Sequence, residues 1–157
     1  MTSAWNSSSP IDPRPVLTPE GRKLLESRSR VLLESLMTFT RPRRGEAIDE
    51  RTSAVYEQIL DEFVELSRAI HSSTSIESIP DDPKLVELGD DVVISSGVGR
   101  IERCLIVHPL EATADAGRVS SESPLGAALM GRSVGDRVEF EGRVITILEA
   151  SRRELRP

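Results

Sequence analysis

The sequence contains one cysteine, Cys104, and only 3% of its 157 residues are aromatic. A single cysteine excludes an internal disulfide and a cysteine-rich metal site. No apolar run approaches the ~18–20 residues that a membrane-spanning helix needs. The segment from Met1 to Pro15 lacks the basic stretch and apolar stretch of a secretory signal. We therefore expect a cytoplasmic protein without a membrane partner, whose core is built mainly from aliphatic side chains.

The net charge argues against free nucleic acid as a partner. The chain has 26 acidic residues against 20 lysines and arginines, which gives a formal charge of −6. Binding to a phosphate backbone requires a basic surface. A chain of this length holds one domain or two small ones.

The first part of the chain predicts an arm followed by a helical hairpin. Residues 1–16 are rich in serine and proline and bury too little to offset their ordering entropy, so we expect a disordered arm. Thr18 and Pro19 are a helix cap and a first-turn residue, and the turn from Arg41 to Gly45 ends that helix. A second helix is expected from about Glu46 to Ser72. Each helix has one apolar stripe: Leu25, Leu32, Leu36 and Phe39, then Ile48, Val55, Ile59, Phe63, Leu66 and Ile70.

These two stripes predict an antiparallel coiled-coil hairpin over residues 17–72, because a short Pro/Gly turn joins them. Residues 73–83 are polar and are interpreted as a linker. After them the apolar period changes to that of strands, in Val86 and Leu88, Val92–Ile94, Leu105–Val107, Val138 with Phe140, and Val144–Leu148. Ser123, Pro124 and Gly131 mark the cap, first turn and end of one short helix. The chain is therefore predicted to be α+β, with a small sheet and one short helix over residues 84–157.

The usual enzymatic motifs are missing from the sequence. His71 and His108 lie in unrelated contexts, and Cys104 lies in a strand pattern typical of a buried, inert thiol. The glycine pair Gly97 and Gly99 does not lead from a strand into a helix, so a hairpin turn is favoured over a phosphate loop.

The predicted tip of the hairpin carries the most informative charges. Glu46 and Asp49 are three residues apart and share one face of the opening turn of the second helix. Two carboxylates are a fragment of a magnesium site, whose other ligands must come from a partner or a substrate phosphate. The alternative is that both acids only complement the helix dipole.

A resemblance to a known family bears on this choice. The run from Val119 to Gly131, VSSESPLGAALMG, followed by Val134-Gly135-Asp136-Arg137-Val138, resembles the C-terminal signature of the bacterial Gre transcript cleavage factors. Thr18-Pro19-Glu20-Gly21 with Leu24-Leu25 resembles the start of their first hairpin helix. The hairpin with an acidic pair at its tip, the linker and the C-terminal sheet follow the same order as in that family.

The resemblance implies an FKBP-like C-terminal domain over residues 84–157 and RNA polymerase as the partner, with nucleic acid met only inside the transcription complex. Family members dock at the polymerase secondary channel through an acidic-Ser-Pro step, here Glu122, Ser123 and Pro124. Their tip acids, here Glu46 and Asp49, help to hold a magnesium ion of the polymerase active centre. The polymerase then hydrolyses backtracked RNA itself. The resemblance thus implies a monomeric regulator that is not an enzyme, with no cofactor of its own and no metal stably bound when free.

Three departures from the family pattern keep a second function open. The order of the tip acids is reversed relative to the family. The interval from Thr18 to Glu46 is about six residues shorter, a loss of ~9 Å of reach at helical rise. Arg43 and Arg44 either contact RNA phosphate or neutralise the acids.

A factor with these features either stimulates cleavage or blocks the channel and inhibits transcription. Two further alternatives remain. The first is a prolyl isomerase, which needs an aromatic-lined pocket, but residues 84–157 contain only one aromatic side chain, Phe140. A generic coiled-coil adaptor would bind another protein through the hairpin.

Overall fold

The computed structural model describes residues 14–39, 50–97, 99–113 and 117–152. Within them the predicted α+β class is confirmed, since two long helices are followed by a five-stranded sheet and one short helix. The predicted hairpin tip and most of the predicted arm lie outside the described residues.

The two long helices are α1 (Pro19–Phe39) and α2 (Glu50–Ser72). Helix α1 begins as the sequence predicts, because the hydroxyl of Thr18 accepts a hydrogen bond from the Gly21 N–H at 3.0 Å. Pro19 occupies the first helical position, where no backbone donor is needed. The start of α1 is thus explained by local sequence, whereas α2 is described only from Glu50.

Contacts between the helices show that they run antiparallel. Arg28 of α1 forms an ion pair with Glu62 of α2. Leu25, earlier in α1, shares a buried cluster with Leu66 and Ile70, later in α2. The apolar stripes are buried unevenly. Leu36, toward the far end of α1, is 6% exposed, whereas Phe39 and Val55 are 39% and 45% exposed.

A small parallel pairing closes the base of the hairpin. Strand β1 (Val16–Leu17) pairs with β2 (Thr74–Ser75), and a short 3-10 helix follows at Ile76–Ser78. The sequence predicts Val16 to lie in the disordered arm and Thr74 to lie in the linker. Backbone pairing orders both segments, and the side chain of Ile76 is buried. The polar composition of these segments therefore does not reveal that they pair as two short strands.

The sheet has the strand order β5-β4-β3-β7-β6. Its strands are β3 (Asp90–Ser96), β4 (Arg100–Val107), β5 (Arg118–Ser120), β6 (Arg137–Phe140) and β7 (Arg143–Arg152). All neighbours are antiparallel except β4 and β5. Helix α3 (Pro124–Leu129) contributes Leu129 to the core beneath the sheet.

One turn prediction and one strand prediction can be compared with the sheet. Gly97 and Gly99 lie between the antiparallel strands β3 and β4, which confirms the hairpin-turn interpretation over a phosphate loop. The strand prediction for Val86 and Leu88 is wrong. Val86 is fully buried, but its backbone bonds with Arg132 and Gly131 in the loop after α3, so no ladder forms there.

Among the described residues, neither long helix is apolar enough over its length to cross a membrane.

Candidate functional site

The four charged residues predicted at the hairpin tip, Arg43, Arg44, Glu46 and Asp49, lie outside the described residues. Their predicted roles therefore stay predictions. The second predicted site, Glu122-Ser123-Pro124, is fully described.

The Glu122–Pro124 segment is a turn that joins β5 to α3. Ser123 caps α3, since its hydroxyl accepts from the Gly126 N–H at 3.1 Å and donates to the Ser120 carbonyl at 2.7 Å. The Glu122 N–H donates to the Ser120 hydroxyl at 3.2 Å. These three hydrogen bonds hold the shape of the turn while Glu122 and Pro124 remain exposed.

A close backbone approach explains the glycine inside this turn. A Cβ at Gly126 would overlap the carbonyl of Ser120, a backbone atom that cannot rotate away. Helix α3 can therefore lie against the end of β5 only with glycine at this position. The packing fixes the direction in which Pro124 and Glu122 face solvent.

His108 lies near this turn, and the sequence did not indicate it as a site residue. Its Nδ1 accepts from the Leu110 N–H at 3.3 Å, which requires that nitrogen to be unprotonated. Burial lowers the pKa of His108, and the charge of Glu122 opposes that shift. Burial therefore favours the neutral form of His108, which leaves Nδ1 able to accept from the Leu110 N–H.

The remaining candidates for chemistry are inert. Cys104 is buried in β4, and burial raises the pKa of its thiol to about 11, as the strand pattern predicts. Within the described ranges, no group of three or more His, Cys, Asp or Glu side chains is placed to hold a metal ion.

A buried carboxylate, that of Glu111, joins the hairpin to the sheet, and no sequence pattern predicts its role. Glu111 is fully buried. It accepts hydrogen bonds from the Thr18 N–H at 2.8 Å and the Thr18 hydroxyl at 2.6 Å, and pairs with Arg118 at 3.3 Å. Burial raises the pKa of Glu111, while the Thr18 hydrogen bonds and the Arg118 charge oppose the increase. Its partner Thr18 is 93 residues away in sequence, so no local pattern could reveal the contact.

A second cluster surrounds Arg152 at the end of β7. The guanidinium donates to the Ile79 carbonyl at 2.7 Å and to Glu87 at 3.3 Å, and it lies 3.4 Å from Asp81. Asp90 is 1% exposed, and its Oδ1 lies 3.9 Å from Nε of Arg152. This cluster holds the residues after the hairpin against the sheet.

Comparison with known proteins gives the class of protein to which this arrangement belongs. The family model described as transcription elongation factor, GreA/GreB, C-term matches residues 81–152, which include the turn at Glu122 and Arg152 itself. The sheet and its short helix are thus those of a transcription elongation factor.

Similarity to individual proteins extends into the hairpin. Transcription elongation factor GreA of Geobacillus kaustophilus is 34% identical over 140 residues, covering 80% of this chain and 86% of that protein. GreA of Chloroflexus aggregans is 34% identical over 137 residues, covering 78% and 85%. The solved GreA factor homolog 1 protein of Thermus thermophilus aligns with 88% of this chain and 99% of its own, at 21% identity and a TM-score of 0.41. From the identity to the GreA proteins, the chain belongs to the GreA/GreB family.

Proposed function

We propose that this protein binds RNA polymerase at the secondary channel, docks through Glu122, Ser123 and Pro124, and directs its hairpin tip toward the active centre. The observation that carries this proposal is the turn itself. It presents an exposed carboxylate and an exposed proline on a hydrogen-bonded frame, within the region that matches the family model. A preformed turn loses little conformational entropy when it binds, which favours its use as a docking surface.

Charge reversal at Glu122 tests the docking surface. We expect Glu122→Arg to weaken binding to the cognate polymerase by roughly tenfold or more, since it places like charge against a basic partner surface. Glu139→Arg is the matched control, because Glu139 is an exposed acid on β6. Binding would be measured by fluorescence anisotropy with labelled protein. Equal affinity of the Glu122→Arg variant and the wild type would contradict the proposed surface.

The tip acids support a role for the hairpin in transcript cleavage. Glu46 and Asp49 supply oxygen ligands of the type that magnesium prefers, and a polymerase active centre supplies the rest of the coordination. The protein then assists the polymerase's own hydrolysis and is not itself an enzyme. It needs no cofactor of its own, and it meets nucleic acid only inside the transcription complex.

Channel occupation without cleavage is the second candidate function. It is favoured by the about six-residue shorter interval to Glu46, which costs about 9 Å of reach, and by Arg43 and Arg44 beside the acids. One assay separates the two functions, because backtracked elongation complexes report both short 3′ fragments and nucleotide addition. Fragments that disappear in the Glu46→Ala/Asp49→Ala double variant identify a cleavage factor. Slower nucleotide addition without fragments identifies a channel-blocking inhibitor.

The organisation of the chain fits this role. We propose that the hairpin, residues 17–72, and the region 84–157 act as two functional domains of a monomer. The single short helix packed beneath a mainly antiparallel sheet supports the FKBP-like classification of the second domain. Its one aromatic residue, Phe140, packs against the sheet core, and a prolyl isomerase needs an aromatic-lined pocket, so this region gives little support to that activity.

A further inference from the structure

The base of the hairpin meets the sheet at a small buried set of residues, which we call the junction: Thr18, Gly21, Glu111 and Arg118. Thr18 and Gly21 belong to the start of α1, whereas Glu111 and Arg118 flank the loop between β4 and β5. The junction is therefore a direct contact between the base of the hairpin and the loop that joins two strands of the sheet.

The hydrogen bonds of the junction form a chain through the helix cap. The Gly21 N–H donates to the Thr18 hydroxyl, and that hydroxyl donates to Glu111 Oε2 at 2.6 Å. The Thr18 N–H donates to the other carboxylate oxygen, Oε1. Because both oxygens of one carboxylate are bound to a single residue, the pair resists rotation about either bond.

Sterics and burial make the contact exacting. A Cβ at Gly21 would overlap the carboxylate of Glu111, so a larger residue there would have to displace this hydrogen-bonded side chain or the helix. Glu111 is fully buried and the Arg118 side chain is 13% exposed. A carboxylate taken out of water in this way must keep its donors, because leaving it unpaired is costly. A different hairpin direction would separate Glu111 from Thr18 and leave the buried carboxylate without these donors.

We propose that Glu111 is a positioning residue that fixes the direction in which the hairpin leaves the sheet. It acts through Thr18, and among the residues that the structure describes it has no hydrogen bond or ion pair with the proposed docking turn. A small change at this contact would be amplified along the hairpin. Gln58 lies about 21 Å along α2 from Ser72, so a rotation of 20° at the base moves Gln58 by about 7 Å.

The test measures the distance between spin labels on Gln58→Cys in α2 and Glu139→Cys in β6, both exposed positions. Cys104 can stay in place, because burial and a pKa of about 11 protect it from thiol reagents. A protein without the added cysteines measures background labelling. We expect one narrow distance distribution in the otherwise wild-type protein.

Two variants attack the junction in different ways. Glu111→Ala removes the acceptors, and Gly21→Ala keeps every polar group but wedges the surfaces apart while raising the intrinsic helix propensity of α1. We expect both to broaden the distribution or shift it by several ångströms. Thr18→Ser keeps the hydroxyl and should retain the wild-type distribution. Hydrogen exchange within α2 and within the sheet should stay protected in Gly21→Ala, which separates positioning from a general loss of structure.

A wild-type distribution in Gly21→Ala would overturn the inference, whatever the behaviour of Glu111→Ala. This readout uses the free protein and does not depend on the polymerase. A second readout rests on the proposed function: Gly21→Ala should bind polymerase as the wild type does, yet lose its effect on nucleotide addition or cleavage. If the wild type itself fails to bind polymerase, the proposed function fails while the distance measurement still decides the role of Glu111.

Discussion

Asp90 shows how a single buried side chain can make stability depend on pH. Its Oδ2 accepts from the Glu87 N–H at 2.8 Å, but its Oδ1 has no hydrogen-bond partner within the part of the chain that the structure describes. Burial raises the pKa of Asp90 to about 6, and the charges of Asp81 and Glu87 add to the increase. The Glu87 N–H and Arg152 oppose it without cancelling it. Asp90 is thus an ionisable group for which folding favours the protonated form.

The sign of the pH effect follows from this pKa. Protonated Asp90 contributes stability that is fully present below its ordinary value of 3.8 and is lost as pH rises through about 6. A shift of about two units corresponds to about 3 kcal/mol. We expect the wild type to lose up to about this amount relative to Asp90→Asn between pH 4 and pH 7. Urea unfolding of both proteins across that range measures the difference, and a constant difference would contradict the expected titration.

Sequence alone was sufficient where a residue's role is local. Cys104 in an apolar strand pattern predicted a buried thiol, and Thr18 before Pro19 predicted a helix cap. Both roles depend on neighbours within a few positions. Glu111 and Asp90 carry no such signal, because their burial comes from elements that are distant in sequence, α1 for Glu111 and β7 for Asp90.

At the scale of elements, α3 joins local sequence to the proposed docking surface. Ser123 and Pro124 predicted its start, and the structure confirms both positions. The sequence did not reveal why Gly126 is needed, since the backbone atom that excludes a larger residue belongs to the end of β5. The geometry of the turn therefore depends on strand pairing as well as on the cap.

Removing the cap of α3 should weaken both the fold and docking. Ser123→Ala leaves the Gly126 N–H and the Ser120 carbonyl without the hydroxyl that serves both. We expect a loss of about 1 kcal/mol in the free energy of unfolding, the usual cost of a lost helix cap. Urea denaturation followed by circular dichroism measures it. Ser123→Thr retains the hydroxyl and is the matched control.

Polymerase affinity of the same variants extends the test to function. If the turn shape matters for docking, Ser123→Ala should bind polymerase more weakly than Ser123→Thr. Wild-type stability and affinity in Ser123→Ala would show that the hydroxyl does not hold the turn.

At the scale of the whole molecule, the decisive contacts join residues far apart in the chain. The sequence predicted two parts, a hairpin and a sheet, from a change in apolar period. It assigned residues 73–83 to a linker because their composition is polar. The structure instead shows β2, a 3-10 helix and the Arg152 cluster in or against that segment. Polar residues there are ordered by pairing with β1 and with the end of β7, which composition cannot reveal.

The Arg152 cluster should protect the segment between the hairpin and the sheet from proteolysis. Arg152 contacts Ile79 and Asp81, which precede Lys84 in the sequence, and Glu87, which follows it. Lys84 itself is exposed. Lysyl endopeptidase reports directly on this segment, because the chain contains only two lysines, Lys84 and Lys23. Lys23 lies in α1 and serves as an internal reference.

We expect Arg152→Gln to raise the cleavage rate at Lys84 by about tenfold relative to Lys23. The variant loses charge-assisted hydrogen bonds worth about 1.5–3 kcal/mol. This loss increases the fraction of molecules in which the segment around Lys84 is detached from the sheet by about tenfold or more. Arg137→Gln, at an exposed position on β6, is the control and should leave the ratio unchanged. Equal acceleration at both lysines would indicate general unfolding. An unchanged ratio in Arg152→Gln would mean that β1 pairing and the burial of Ile76 hold the segment without help from the cluster.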